Sequence, residues 1–75
     1  MVNGGTFNHQ IGQIAMHKTQ EGEKQPIKLC IVQQINVTEG PMAGEKMYRV
    51  SYVHDGAIHE ALLPEKAIQP YRQVH

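Results

Sequence analysis

The chain has no tryptophan and, among its 75 residues, a single cysteine, Cys30. One cysteine excludes an intrachain disulfide framework. That exclusion matters at this length, because a domain so small buries only about 60% of its unfolded surface and its stability is marginal unaided. A bound metal or self-association would be the remaining supports. Aromatic residues are scarce too: Phe7, Tyr48, Tyr52 and Tyr71 are all there are. Charge of either sign is not in excess, since seven Lys plus Arg balance seven Asp plus Glu. A protein that neutralises nucleic-acid phosphates normally carries a basic excess or a basic patch. Here Lys18, Lys24, Lys28, Lys46, Arg49, Lys66 and Arg72 are scattered singly along the chain. No apolar run approaches the roughly 20 residues that span a bilayer, so no membrane partner is expected. The opening residues lack the charged and apolar regions of a secretory signal, which makes the cytoplasm the expected location.

What is present is a series of β signals separated by polar turns. Residues 1–10 are polar and Gly-containing and read as a flexible N-terminal arm, with Phe7 as the one side chain able to dock. Residues 11–72 read as a single domain. Its first strand is expected over Ile11–Lys18, with Ile14 and Met16 on one face and Gln13 and Ala15 on the other. Thr19–Pro26 is a polar loop. Ile27–Thr38 carries the longest β signal: Ile27, Leu29, Ile31, Ile35 and Val37 share one parity, the alternation of a strand half-buried against a core. A second loop, Glu39–Glu45, holds two Gly and a Pro.

Met47–His54 follows as a strand with Tyr48, Val50 and Tyr52 on one face, the face expected to enter the core. It runs into Asp55-Gly56, the preferred pair for a two-residue type I′ hairpin, because both central residues need positive φ. Ala57–Leu63 is the returning strand. Pro64-Glu65-Lys66-Ala67 reads as a single 3₁₀ turn with Pro at its start, and Ile68–Tyr71 as a short closing strand. The fold class is therefore all-β: five strands, a 3₁₀ turn before the last of them, and an N-terminal arm.

The stretches Gly12-Gln13-Ile14-Ala15, Tyr48-Arg49-Val50-Ser51-Tyr52-Val53-His54-Asp55-Gly56 and Leu63-Pro64-Glu65-Lys66-Ala67-Ile68-Gln69-Pro70 resemble the opening strand, the central strand with its turn, and the closing element of Tudor-like and other SH3-like barrels. The resemblance implies a five-stranded SH3-like barrel. It would also imply an aromatic cage for a methylated cation, but Tyr48 and Tyr52 share the face of Val50 and read as core. A second resemblance is to plasmid-borne type II dihydrofolate reductases, which join an arm to an SH3-like barrel and form an active pore from four copies. The Gln and Tyr of that family's Val-Gln-Ile-Tyr stretch are missing from Ile58-His59-Glu60-Ala61-Leu62, so only the oligomeric architecture carries over. The small size and the arm would suit a protein of a mobile element.

No chemical signature emerges. His54 and His59 flank the turn and, with Asp55 or Glu60, are the nearest approach to a metal set, but solvated histidines are the commoner outcome. Cys30 lies in an apolar strand and reads as a small hydrophobe. No carboxylate pair or phosphate loop is apparent, and no cofactor, metal or catalytic residue is expected. The candidate binding residues are a loop rim of Pro41, Met42 and Met47 with Tyr48, Tyr52, His54 and His59. The function expected is that of a non-enzymatic module binding a protein partner, and copies of itself, through loops and strand edges. The alternatives are a nucleic-acid-associated Tudor- or KOW-like barrel and an oligomeric pore enzyme of the reductase type.

Overall fold

A computed structural model describes residues 6–72. The strands are β1 (Ile14–His17), β2 (Leu29–Asn36), β3 (Lys46–His54), β4 (Ala57–Pro64) and β5 (Ile68–Pro70). All neighbours pair antiparallel, in the order β4-β3-β2-β1-β5. The fold is thus all-β with five strands, as the alternation indicates. β4 and β5 are the two edges and do not pair with each other, so the sheet is open and does not close on itself. A 3₁₀ turn over Glu65–Ala67 precedes β5, with Pro64 in extended conformation at its head. A second 3₁₀ turn, Lys18–Gln20, occupies the start of what the sequence gives as plain loop, and His17 caps it by accepting the Thr19 N–H at 3.2 Å.

Between β3 and β4 the turn has the expected chemistry. Asp55 has φ 53° and Gly56 φ 76°, the pair of positive values that type I′ demands. A Cβ on Gly56 would meet nothing within 4 Å. Gly56→Ala is therefore expected to cost only its backbone strain, about 1–2 kcal/mol, read as a lowered midpoint of thermal unfolding with an unchanged fold.

One face of the sheet holds the core: Ala15, Leu29, Ile31, Tyr48, Val50 and Ile68 are buried, with Phe7, Ile27, Tyr52, Ala61 and Leu63 packed around them. In β1 both faces are covered: Ala15 enters the core opposite Leu29 and Met16 on the other face is 1% exposed, while Ile14 is 43% exposed. One sequence expectation is corrected here. In β2 the parity breaks at Val32. Ile31 lies opposite Val50, but Gln33 lies opposite Arg49, so Val32 is an extra residue, a β-bulge. Past the bulge the faces exchange: Gln34 stands opposite Tyr48 on the core face, and Ile35 stands opposite Met47 on the outer face. The shift gives Gln34 its function, since its Nε2 donates to the His9 carbonyl at 2.8 Å.

The arm expected over residues 1–10 is docked from Phe7 onward, and residues 1–5 lie outside the described residues. Phe7 meets the Tyr48 ring edge-on at 5.7 Å between centroids, and His9, 4% exposed, meets it at 5.2 Å. Burial of two rings against a third supplies more than area alone, because edge-to-face pairs are favoured by the ring quadrupoles.

Candidate functional site

The densest polar arrangement is the one that docks this segment. The Tyr48 hydroxyl donates to Glu65 Oε2 at 2.5 Å and accepts the His9 N–H at 3.2 Å. The Asn8 N–H donates to the same carboxylate oxygen at 2.9 Å. Gln13 Nε2 lies 3.1 Å from His9 Nδ1, and its Oε1 accepts the Gln10 N–H at 3.0 Å. Every buried side-chain polar atom among the described residues has a partner. A Tyr–Glu pair in a catalytic role would keep a hydroxyl or a carboxylate free for substrate. Here the hydroxyl and one carboxylate oxygen are engaged by the backbone amides of His9 and Asn8, and the arrangement clasps residues 8–10.

The clasp sets two pKa values. Burial first, and then the Glu65 carboxylate, push the Tyr48 phenol up to about 12. Burial alone would raise Glu65, but the Tyr48 hydroxyl, the Asn8 amide and the positive charge of Lys46 outweigh it and hold the carboxyl below its ordinary value. The signs follow. Tyr48 binds its proton more tightly folded than unfolded, so its contribution is complete below pH about 10 and is lost as pH rises towards about 12. Two pH units correspond to about 2–3 kcal/mol. Glu65 binds its proton less tightly folded, so its contribution is present above the ordinary carboxylate range and is lost as pH falls through it. Chemical denaturation at a series of pH values is expected to show stability falling steeply above pH about 10. A Tyr48→Phe variant should lack that alkaline slope.

The seven candidate binding residues do not form one rim. Pro41 and Met42 sit in the exposed turn between β2 and β3, and Met47 is half-buried at the start of β3. Tyr52 lies five residues further along β3, which is about 17 Å of strand. Tyr48 is removed from any rim because it is fully buried beneath residues 7–9. Tyr52, His54 and His59 do come together: His59 stacks on Tyr52 at 5.4 Å, and the His54 and His59 rings are 6.1 Å apart. His54 Nε2 lies 3.4 Å from Asp55 Oδ2. Among the described residues no three His, Cys, Asp or Glu side chains converge to hold a metal ion. Of the cations, Arg49 pairs with Glu60 at 3.6 Å, Arg72 pairs with Glu21, and Lys28 lies over the Tyr71 ring.

Two surfaces remain open, and neither is visible in the sequence. The first is the β4 edge. Ala57–Glu60 are exposed, and Val53, Ile58 and Leu62 stand on the outer face at 65%, 77% and 51% exposure. A two-residue turn makes His54–Ala57 a hydrogen-bonded pair, and pairs then alternate along the ladder. Ile58, Glu60 and Leu62 therefore turn their backbone N–H and C=O groups away from β3, towards solvent. The second is a cleft of about 200 Å³ on the core face, lined by His17, Gln20, Ile27, Leu29, Val50, Tyr52, Ala61 and Leu63.

Comparison of the chain with family models, curated proteins and solved structures gives no match. No helix among the described residues is long and apolar enough to cross a membrane.

Proposed function

We propose that the chain is a non-enzymatic protein-binding module, built on an open five-stranded antiparallel sheet, that also associates with itself, and that the β4 edge is the self-association surface. The observation that carries this reading is the free edge strand with Ile58 and Leu62 exposed beside unpaired backbone groups. Natural sheets usually blunt such an edge with charge, Pro or a covering loop, because it templates another strand. On β4 the single charged residue is Glu60, and Pro64 stands only at the far end.

Two copies of β4 pair antiparallel about a two-fold axis at Glu60. That register sets Ile58 of one copy opposite Leu62 of the other, and the isologous contact closes as a dimer. The two Glu60 carboxylates face each other at the axis, a like-charge pair that opposes the contact, and each is offset by its own Arg49. Amide hydrogen exchange at rising protein concentration tests the assignment. Protection is expected to grow at Ile58, Glu60 and Leu62 and not at the β5 edge. Exchange at these amides that stays fast at every concentration would refute it.

A further inference from the structure

The cleft on the core face is by itself smaller than a drug-sized site of about 300–1,000 Å³, and the groove it opens into adds about 540 Å³. The cleft's own volume of about 200 Å³ is on the scale of one large apolar side chain. Its walls suit such a group, with Ile27, Ala61 and Leu63 presenting aliphatic carbon over the buried Leu29 and Val50. They are also fixed in advance. Gln20 Oε1 accepts the Ile27 N–H at 2.8 Å, which ties the 3₁₀ turn Lys18–Gln20 to the entry of β2. His17 Nδ1 accepts the Thr19 N–H, which fixes the ring at the head of that turn.

This shallower groove runs on from the cleft, sharing Ile27 and Tyr52 with it and continuing over Gln25, Pro26, Lys28, Val53 and Tyr71. Charge singles this surface out. The chain as a whole is neutral, yet neither the cleft nor the groove is lined by an Asp or a Glu. Lys28 is the one full charge in the lining. It has no ion-pair partner among the described residues and rests 5.4 Å over the Tyr71 ring. The surface therefore offers an apolar socket beside an unneutralised cation.

From this we infer that the cleft and groove bind an extended peptide segment of a partner protein, in which an apolar side chain enters the cleft and a neighbouring carboxylate pairs with Lys28. The assignment rests on the binding-module reading and names the class of partner that the module takes. The carboxylate supplies orientation and discrimination, and the apolar side chain supplies most of the affinity. A short contact of this kind binds weakly, and tandem or self-associated copies would strengthen it by avidity.

Three blocked peptides test it: acetyl-Gly-Leu-Glu-Glu-Gly-amide, the same peptide with Lys for both Glu, and the same peptide with Gly for Leu. Each is titrated into the full chain and followed by backbone amide chemical shifts. The expected result is saturable shifts at Ile27, Leu29, Tyr52, Ala61 and Leu63 with the Leu-Glu-Glu peptide, weakened by added salt, and little response to the other two. Lys28→Glu, at an exposed position that leaves the core untouched, should weaken the acidic peptide about tenfold and favour the Lys peptide instead. No saturable shift with the acidic peptide, equal response to acidic and basic peptides, or shifts confined to the β4 outer face would each overturn the assignment. Hydrogen exchange at the β4 edge reports separately. Edge protection without peptide binding removes this inference and leaves self-association standing, and peptide binding to a chain with an unprotected edge does the reverse.

Discussion

Tyr48→Phe should destabilise the protein by about 2 kcal/mol and loosen the backbone of residues 8–10 at the sheet. The substitution keeps the ring, so its edge-on contacts with Phe7 and His9 persist. What disappears is one oxygen that serves two partners, the Glu65 carboxylate and the His9 N–H. Both are left short of a partner in a half-buried setting, and a bond to a charged group is worth more than a neutral one. Urea unfolding reads the loss, and hydrogen exchange at His9 reads the loosening. A double-mutant cycle with Glu65→Gln should give a coupling of about 0.5–3 kcal/mol, as expected for side chains in one network. A Tyr48→Phe variant with the wild-type urea midpoint and a still-protected His9 amide would show that the clasp contributes nothing.

Placing charge on the β4 edge should have the other large effect. Ile58→Lys with Leu62→Lys is expected to abolish self-association while leaving the urea midpoint nearly unchanged. Both side chains point away from the core, and at 77% and 51% exposure they have little folded-state packing to lose. In the paired register they are the apolar contact itself. Burying each yields about 1–2 kcal/mol, and the symmetric contact contains two of each. Six or so kcal/mol of gain stands against an association cost of about 4–15 kcal/mol, with the backbone hydrogen bonds of the new ladder adding to the favourable side. At the low end of that cost, with about 2 kcal/mol from the ladder bonds, the net is about 4 kcal/mol, a dissociation constant of about 1 mM. Glu60→Gln should move it the other way, tightening the dimer by removing the like-charge pair at the axis. Concentration-dependent sedimentation of the variants checks both directions. A double-lysine variant that associates as the wild type does would sink the edge assignment.

The sequence shows what is local and hides what is not. The Asp55-Gly56 turn could be read because two adjacent residues determine its φ values. The inward set Tyr48, Val50 and Tyr52 could be read because β3 keeps its alternation along its whole length. The alternation in β2 misleads after Ile31, because the bulge at Val32 answers to a bond between Gln34 and a carbonyl 25 residues away. The clasp was illegible for the same reason. Asn8 and Glu65 are 57 residues apart, and nothing near either one announces the other. Neither of the two open surfaces has a motif. The cleft draws its lining from β1, the 3₁₀ turn after it, β2, β3 and β4. Ala57–Leu63 reads as a strand from its residues, but that it is an edge follows only from the strand order. The loop rim failed on distance: residues grouped by type along the sequence lie at opposite ends of β3.

Light scattering coupled to size-exclusion chromatography, run on the wild type and on Glu60→Pro at concentrations up to about 1 mM, tests the central claim most directly. Proline at position 60 removes an N–H that points away from β3, so the β3–β4 ladder keeps its bonds while the edge loses its central donor. The account predicts a wild-type mass that climbs towards twice 8.4 kDa as concentration rises, and a Glu60→Pro mass that stays at the monomer value. A wild-type chain that remains monomeric throughout, or a Glu60→Pro variant that dimerises equally well, would contradict it.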